Sequence, residues 1–176
     1  VVIVDPGIKV EDGYHAYEEG KANDFFVKYP SGEPYIGSVW PGRSCFPDFT
    51  NPKVRQWWAD KIKFYADNGV AGIWNDMNEP AAWGQHIPNI VEFNFEGEPT
   101  SMSQAHNVYG MLMSRSSFEG MKKHRNNKRS LIITRATYSG GQRYSTIWTG
   151  DNASYDEHML LGVRLVNSLG LAGFSF

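Results

Sequence analysis

"GIWNDMNEP" (residues 72–80) passes from an apolar run straight into two carboxylates, Asp76 and Glu79, with no turn residue between them. Its apolar half belongs to "VAGIW" at 70–74. Four other short runs match it: "VVIV" at 1–4, "LIIT" at 131–134, "STIW" at 145–148 and "GFSF" at 173–176. All five are continuous rather than alternating, which predicts strands of a parallel sheet covered on both faces.

Helical patterns separate these runs. In the first, Thr50 or Asn51 can cap, Pro52 fits the first position and Gly69 follows the end, with Val54, Trp57, Trp58, Ile62, Phe64 and Tyr65 at helical spacing. The second extends from about Ser103 to His124 through Val108, Met111, Leu112, Arg115 and Phe118. The third starts near Asp156 and carries Leu160, Leu161, Val163, Leu165, Val166 and Leu169 up to Gly170. Strands and helices in alternation predict an α/β fold with right-handed crossovers. The link "RATYSGGQRY" between the third and fourth runs is short for a crossover, so a single helical turn or irregular loop is expected there. Residues 10–49 and 80–102 read as two long loops after strands, where α/β proteins build their sites.

Bulk properties narrow the function classes. The chain has 176 residues, enough for one domain, and a formal net charge of −2, which gives no reason to expect nucleic acid or a membrane surface as partner. A single cysteine, Cys45, excludes an internal disulfide. Aromatics make up 14%, which suits the binding of organic rings as well as the filling of a core. The five histidines show no metal-ligand spacing, and "SGGQ" lacks the Lys-Ser/Thr of a phosphate loop. The chain opens on "VVIV", which reads as a strand, so the expectation is a segment of a longer protein.

Ionisable groups stand where strands stop: Asp5 after "VVIV", Asp76 after "GIWN", Arg135 after "LIIT" and Asp151 after "IWTG". One such Asp would be read as a cap or turn residue. Four at parallel strand ends form a ring at one mouth. Asp76 and Asp151 could then cleave a glycosidic bond, one attacking as the anion and the other donating its proton to the leaving oxygen. Trp74 and Trp148 lie just before them; the indoles either fill the core or wall a pocket that excludes water and stacks on a sugar ring. Arg135 would contact sugar hydroxyls, hold a carboxylate ionised or make a structural ion pair.

These residues lie in blocks that resemble glycoside hydrolase family 31, the α-glucosidase family. "WNDMNEP" at 74–80 is similar to its signature. "VDPGIK" at 4–9, "VWPG" at 39–42, "FPDFTNP" at 46–52, "HNVYG" at 106–110, "QRY" with "WTGDN" at 142–152 and "LGLAGFSF" at 169–176 follow in family order. The likeness spans the chain and is nearest to the branch containing the neutral α-glucosidases. It implies a (β/α)8 barrel of ~250 residues, of which this chain would hold about strands three to seven as residues 1–176 of a partial catalytic domain. It also implies retaining hydrolysis of terminal α-linked glucose in oligosaccharides, with no cofactor and no metal. Asp76 matches the nucleophile and Asp151 the acid/base. Asp5, Trp40, Trp74, Met77, Arg135 and Trp148 match positions lining the glucose subsite, and Glu79 matches a supporting residue. "TRATY" at 134–138 departs from the family pattern but keeps the Arg. Two rival classes remain at this stage. One is a metal-dependent barrel enzyme with Asp5, Asp76 and Asp151 as ligands; the other is a sugar-binding segment without turnover, which fits the expectation that the chain alone is inactive.

Overall fold

The computed structural model describes residues 1–175. Its centre is a four-stranded parallel sheet. Strands β1 (Val2–Val4), β5 (Gly72–Asn75), β8 (Leu131–Thr134) and β9 (Thr146–Ile147) lie side by side in that order. Between β1 and β5 the chain forms β2 (Ile8–Lys9), helix α1 (His15–Ala22), β3 (Ile36–Val39), β4 (Gly42–Cys45) and helices α2 (Pro52–Lys61) and α3 (Lys63–Asp67). The ribbon β6 (Glu92–Phe93) and β7 (Thr100–Ser101) leads into the long helix α4 (Met102–His124), and α5 (Asp156–Leu171) follows β9.

The first helix keeps its sequence signals. Asn51 caps α2 by accepting from the Lys53 amide at 2.9 Å, Pro52 occupies the first position, and Gly69 ends the segment at φ +78°. Val54, Trp57, Trp58 and Ile62 are buried, but Phe64 is exposed on α3. The expected turn between β8 and β9 is a short 3₁₀ helix at Gly141–Arg143.

Three expectations change. Residues 10–49 and 80–102 are not bare loops: the first holds α1 and the strands β3 and β4, which with β2 just before them form an antiparallel sheet in the order β2, β4, β3, and the second holds the β6–β7 pair. Strands of two to four residues that carry Gly, Ser, Arg, Lys or Glu are too short and too polar to show as apolar runs. Second, "GFSF" is not a strand over the described residues 173–175, although the Ser175 carbonyl accepts from the Ile147 amide at 3.2 Å; Phe176 lies outside the described residues.

Third, the main sheet is covered on one face only, among the described residues. Ile73, Asn75, Ile132, Thr134 and Ile147 are buried on the side where α4 lies, while Ile3, Trp74, Ile133 and Thr146 are partly or fully exposed on the other. Alternation along each strand accounts for this division. The inward face of α4 also differs from its apolar pattern. Ala105, Tyr109, Gly110, Met113, Ser114, Ser117 and Met121 are buried, whereas Val108, Met111, Leu112, Arg115 and Phe118 are half-buried. On α5 no residue is buried, and Leu160, Leu161, Val163 and Val166 are exposed.

Candidate active site

Strand register builds the site. Val4 pairs with Asn75, Asn75 with Thr134, and Thr134 with Ile147, so these four residues form one row across the sheet. Asp5, Asp76, Arg135 and Trp148 are therefore the next row, at the C-terminal rim. Two further hydrogen bonds carry the register past the strands: Asp76 N to Val4 O and Trp148 N to Thr134 O, both 3.3 Å. The sequence expectation of one shared mouth is met for these residues, and Asp151 joins them three residues beyond Trp148.

Arg135 is the centre of the group. It holds Glu79 with two hydrogen bonds, Nε to Oε1 at 2.7 Å and Nη2 to Oε2 at 3.1 Å. Its Nη1 donates to Asp151 Oδ2 at 3.1 Å and lies 3.2 Å from Asp76 Oδ1. The latter contact has ion-pair distance without hydrogen-bond alignment, so Asp76 Oδ1 is buried with no donor aimed at it. The fork geometry of the guanidinium is what allows one side chain to serve three carboxylates. Burial lowers the Arg135 proton affinity, but the Glu79 hydrogen bonds and the charges of Glu79, Asp76 and Asp151 outweigh it, and the group ends above its ordinary value.

The carboxylates sit in different surroundings. The Asp76 side chain is 14% exposed and that of Asp151 is 87% exposed. Burial, and then the negative charge of Asp76, raise the Asp5 carboxyl above its usual range, against a smaller opposing pull from Arg135. Trp74 and Trp148 meet edge to face, with centroids 5.1 Å apart and planes at 88°. They therefore form one aromatic wall rather than two separate core residues, and Trp74 Nε1 is buried without a partner.

Met77 and Trp40 lie differently from the rest. Met77, at φ +52°, is 5% exposed and belongs to the hydrophobic core. Its left-handed backbone turns the chain sharply after Asp76, so that Glu79 returns to the same guanidinium as Asp76. Trp40 stands at the tip of the β3–β4 hairpin, 71% exposed, with its ring edge to face against Trp83 at 4.7 Å. It shares with Asp5 a groove of about 630 Å³ that also touches Tyr14 and Trp57. Trp83 had no distinguishing signal in the sequence beyond being an aromatic in a loop; the Trp83 amide donates to Ser38 O at 2.8 Å and ties that loop to β3. A second cleft, of about 660 Å³, begins at Glu79 and is lined by Gln85, His86 and His106.

Such an arrangement can bind a ring against paired indoles and present two carboxylates to it. The comparisons with known proteins agree with that chemistry. The model of the "Glycosyl hydrolases family 31 TIM-barrel domain" matches residues 1–176. Alpha-glucosidase 2 of Bacillus thermoamyloliquefaciens is 48% identical over 178 residues, covering 100% of this chain and 23% of that protein. A family 31 alpha-glucosidase from Bacteroides thetaiotaomicron superposes with a TM-score of 0.81 at 42% identity, covering 99% of this chain and 28% of the other. The glucosidase II alpha subunit bound to alpha3-Glc2 gives a TM-score of 0.87 at 31% identity, covering 98% of this chain and 19% of the other. The chain thus spans between 19% and 28% of the length of these relatives. Its four parallel strands and their helices are consistent with part of a TIM-barrel-like domain.

Proposed function

We propose, from the premise that this chain belongs to glycoside hydrolase family 31, that the intact protein is a retaining α-glucosidase. It removes terminal α-linked glucose from oligosaccharides, and residues 1–176 are part of its catalytic (β/α)8 barrel, about strands three to seven. The observation that carries this reading is the position of Arg135 Nη1 between Asp76 and Asp151. Because both oxygens touch one nitrogen, at 3.2 and 3.1 Å, they can be no farther apart than the sum of those distances. That contact holds their nearest oxygens close enough for the ~5–5.5 Å carboxyl separation of retaining enzymes.

In the first step Asp76 attacks the anomeric carbon while Asp151 gives its proton to the departing oxygen. The C–O bond to the leaving sugar breaks and a β-glucosyl ester of Asp76 forms. In the second step Asp151 takes a proton from water, the water oxygen bonds to the anomeric carbon, and Asp76 leaves as the carboxylate with α-configured glucose. Trp74 and Trp148 wall the ring, Asp5 and Arg135 bind its hydroxyls, Trp40 completes the subsite, and Met77 shapes it from the core through its turn after Asp76. Glu79 keeps Arg135 in place.

The test is hydrolysis of an aryl α-glucoside by the full-length protein, with the first-formed anomer read by proton NMR. Turnover with α-glucose appearing first, abolished in Asp76→Ala, is expected. Release of β-glucose first, or an active Asp76→Ala, would overturn the assignment.

A further inference from the structure

Behind the rim, on the covered face of the sheet, the buried polar groups form one connected chain. Trp58 Nε1 donates to Ser117 Oγ at 3.0 Å, and Ser117 Oγ donates to Asn75 Oδ1 at 3.0 Å. Asn75 Nδ2 reaches Ser114 Oγ at 3.4 Å, and Ser114 Oγ donates to the Gly110 carbonyl at 3.0 Å. The same carbonyl accepts from Asn78 Nδ2 at 3.3 Å, and Asn78 Nδ2 also donates to Thr134 Oγ1 at 2.9 Å. Asn75, Asn78, Ser114, Ser117 and Thr134 are all fully buried. Asn75 and Asn78 bracket Asp76, and Thr134 precedes Arg135.

We propose that the row Gly110, Ser114 and Ser117 of α4 is a positioning element that sets where Asp76, Glu79 and Arg135 stand. The inference rests on the glycosidase reading and deepens it. An indole N–H can only donate, so Ser117 must pass its own hydrogen on to Asn75. That fixes the Asn75 amide with its oxygen to Ser117 and its nitrogen to Ser114. Every link then has one direction, and the end of β5 is held in one rotamer. Gly110 does the same through contact. A Cβ there would fall 2.4 Å from Ala136 O and 2.7 Å from Asn78 O, so the loops carrying Arg135 and Glu79 both rest on bare helix backbone. Two buried serines and a glycine in mid-helix are costly choices unless such a seat is needed.

Ser116 supplies the control. It is equally buried on the same helix, but its hydroxyl bonds only the Leu112 carbonyl one turn back. In the full-length protein, Ser117→Ala is expected to lower kcat on an aryl α-glucoside about tenfold, as misplaced reacting groups do, with KM within about twofold. Ser116→Ala should lose comparable thermal stability with kcat unchanged. Equal kcat values for the two variants would overturn the inference. Should Ser117→Ala not fold, Trp58→Phe serves: freeing the Ser117 hydroxyl to rotate should cut kcat about threefold, and an unchanged kcat would count against the proposal. A wild-type protein without α-glucosidase turnover would remove the glycosidase reading itself, whereas an active wild type with indifferent variants removes this inference alone.

Discussion

Arg135 joins three carboxylates through one guanidinium, and a lysine cannot reproduce that fork. Arg135→Lys in the full-length protein should lower kcat/KM at least ~100-fold, since Glu79, Asp76 and Asp151 lose their common reference point. Stability should fall by ~1–2 kcal/mol, less than for a fully buried pair because Asp151 faces solvent; chemical denaturation measures it. Asp5 gives a pH prediction. Its raised carboxyl holds a proton more tightly in the folded state, so this contribution is present below the usual carboxylate range and is lost as pH rises through the raised value. Melting curves between about pH 4 and 7 should fall more steeply for wild type than for Asp5→Asn; parallel curves would refute the assignment. Asp5, Asp76, Arg135 and Asp151 were legible in the sequence because each follows an apolar run at or just beyond its end. Met77 entered through the family resemblance alone, and its burial was not legible, since that depends on a left-handed backbone that residue type does not announce.

At the scale of elements, α2 and α4 pack through close backbone approach. A Cβ on Gly120 would lie 2.6 Å from Ala59 O and 3.0 Å from Ile62 Cβ. Gly120→Ala should destabilise by ~1–3 kcal/mol despite its better helix propensity, read from urea denaturation of the full-length protein. Removing the α2 cap with Asn51→Ala should cost ~1 kcal/mol in the same assay. Helix boundaries could be read from the sequence because caps, Pro52 and Gly69 are local chemistry. The buried face of α4 could not. Its contacts with the sheet use Gly110, Ser114 and Ser117, which hydropathy scores as outward, and the half-buried Leu112 and Phe118 drew the apolar stripe to the wrong side.

On the whole molecule, the sheet has an open edge at β1 and one open face among the described residues. Among the described residues β1 pairs with β5 alone, β9 pairs with β8 and is also met by the Ser175 carbonyl, and Ile3 on the uncovered side is 52% exposed. With α5 exposing Met159, Leu160 and Leu171 as well, the 176-residue chain taken alone should bind a hydrophobic dye, self-associate with concentration and show no turnover. Full-length protein should do none of the first two and retain activity; a monomeric, active 176-residue chain would contradict this. The runs at 1–4, 70–74, 131–134 and 145–148 contain the strands of the main sheet, but which face stays open was not readable, because continuous runs look alike whether one side or both are covered. The crossed indoles of Trp74 and Trp148 turn this architecture into an optical gauge. Two chromophores in edge-to-face contact share their ultraviolet transitions, and these two belong to different strand ends. A near-ultraviolet dichroism band from the pair would appear only when the ends of β5 and β9 are seated on either side of β8. Assembly of the rim can therefore be followed without any sugar present.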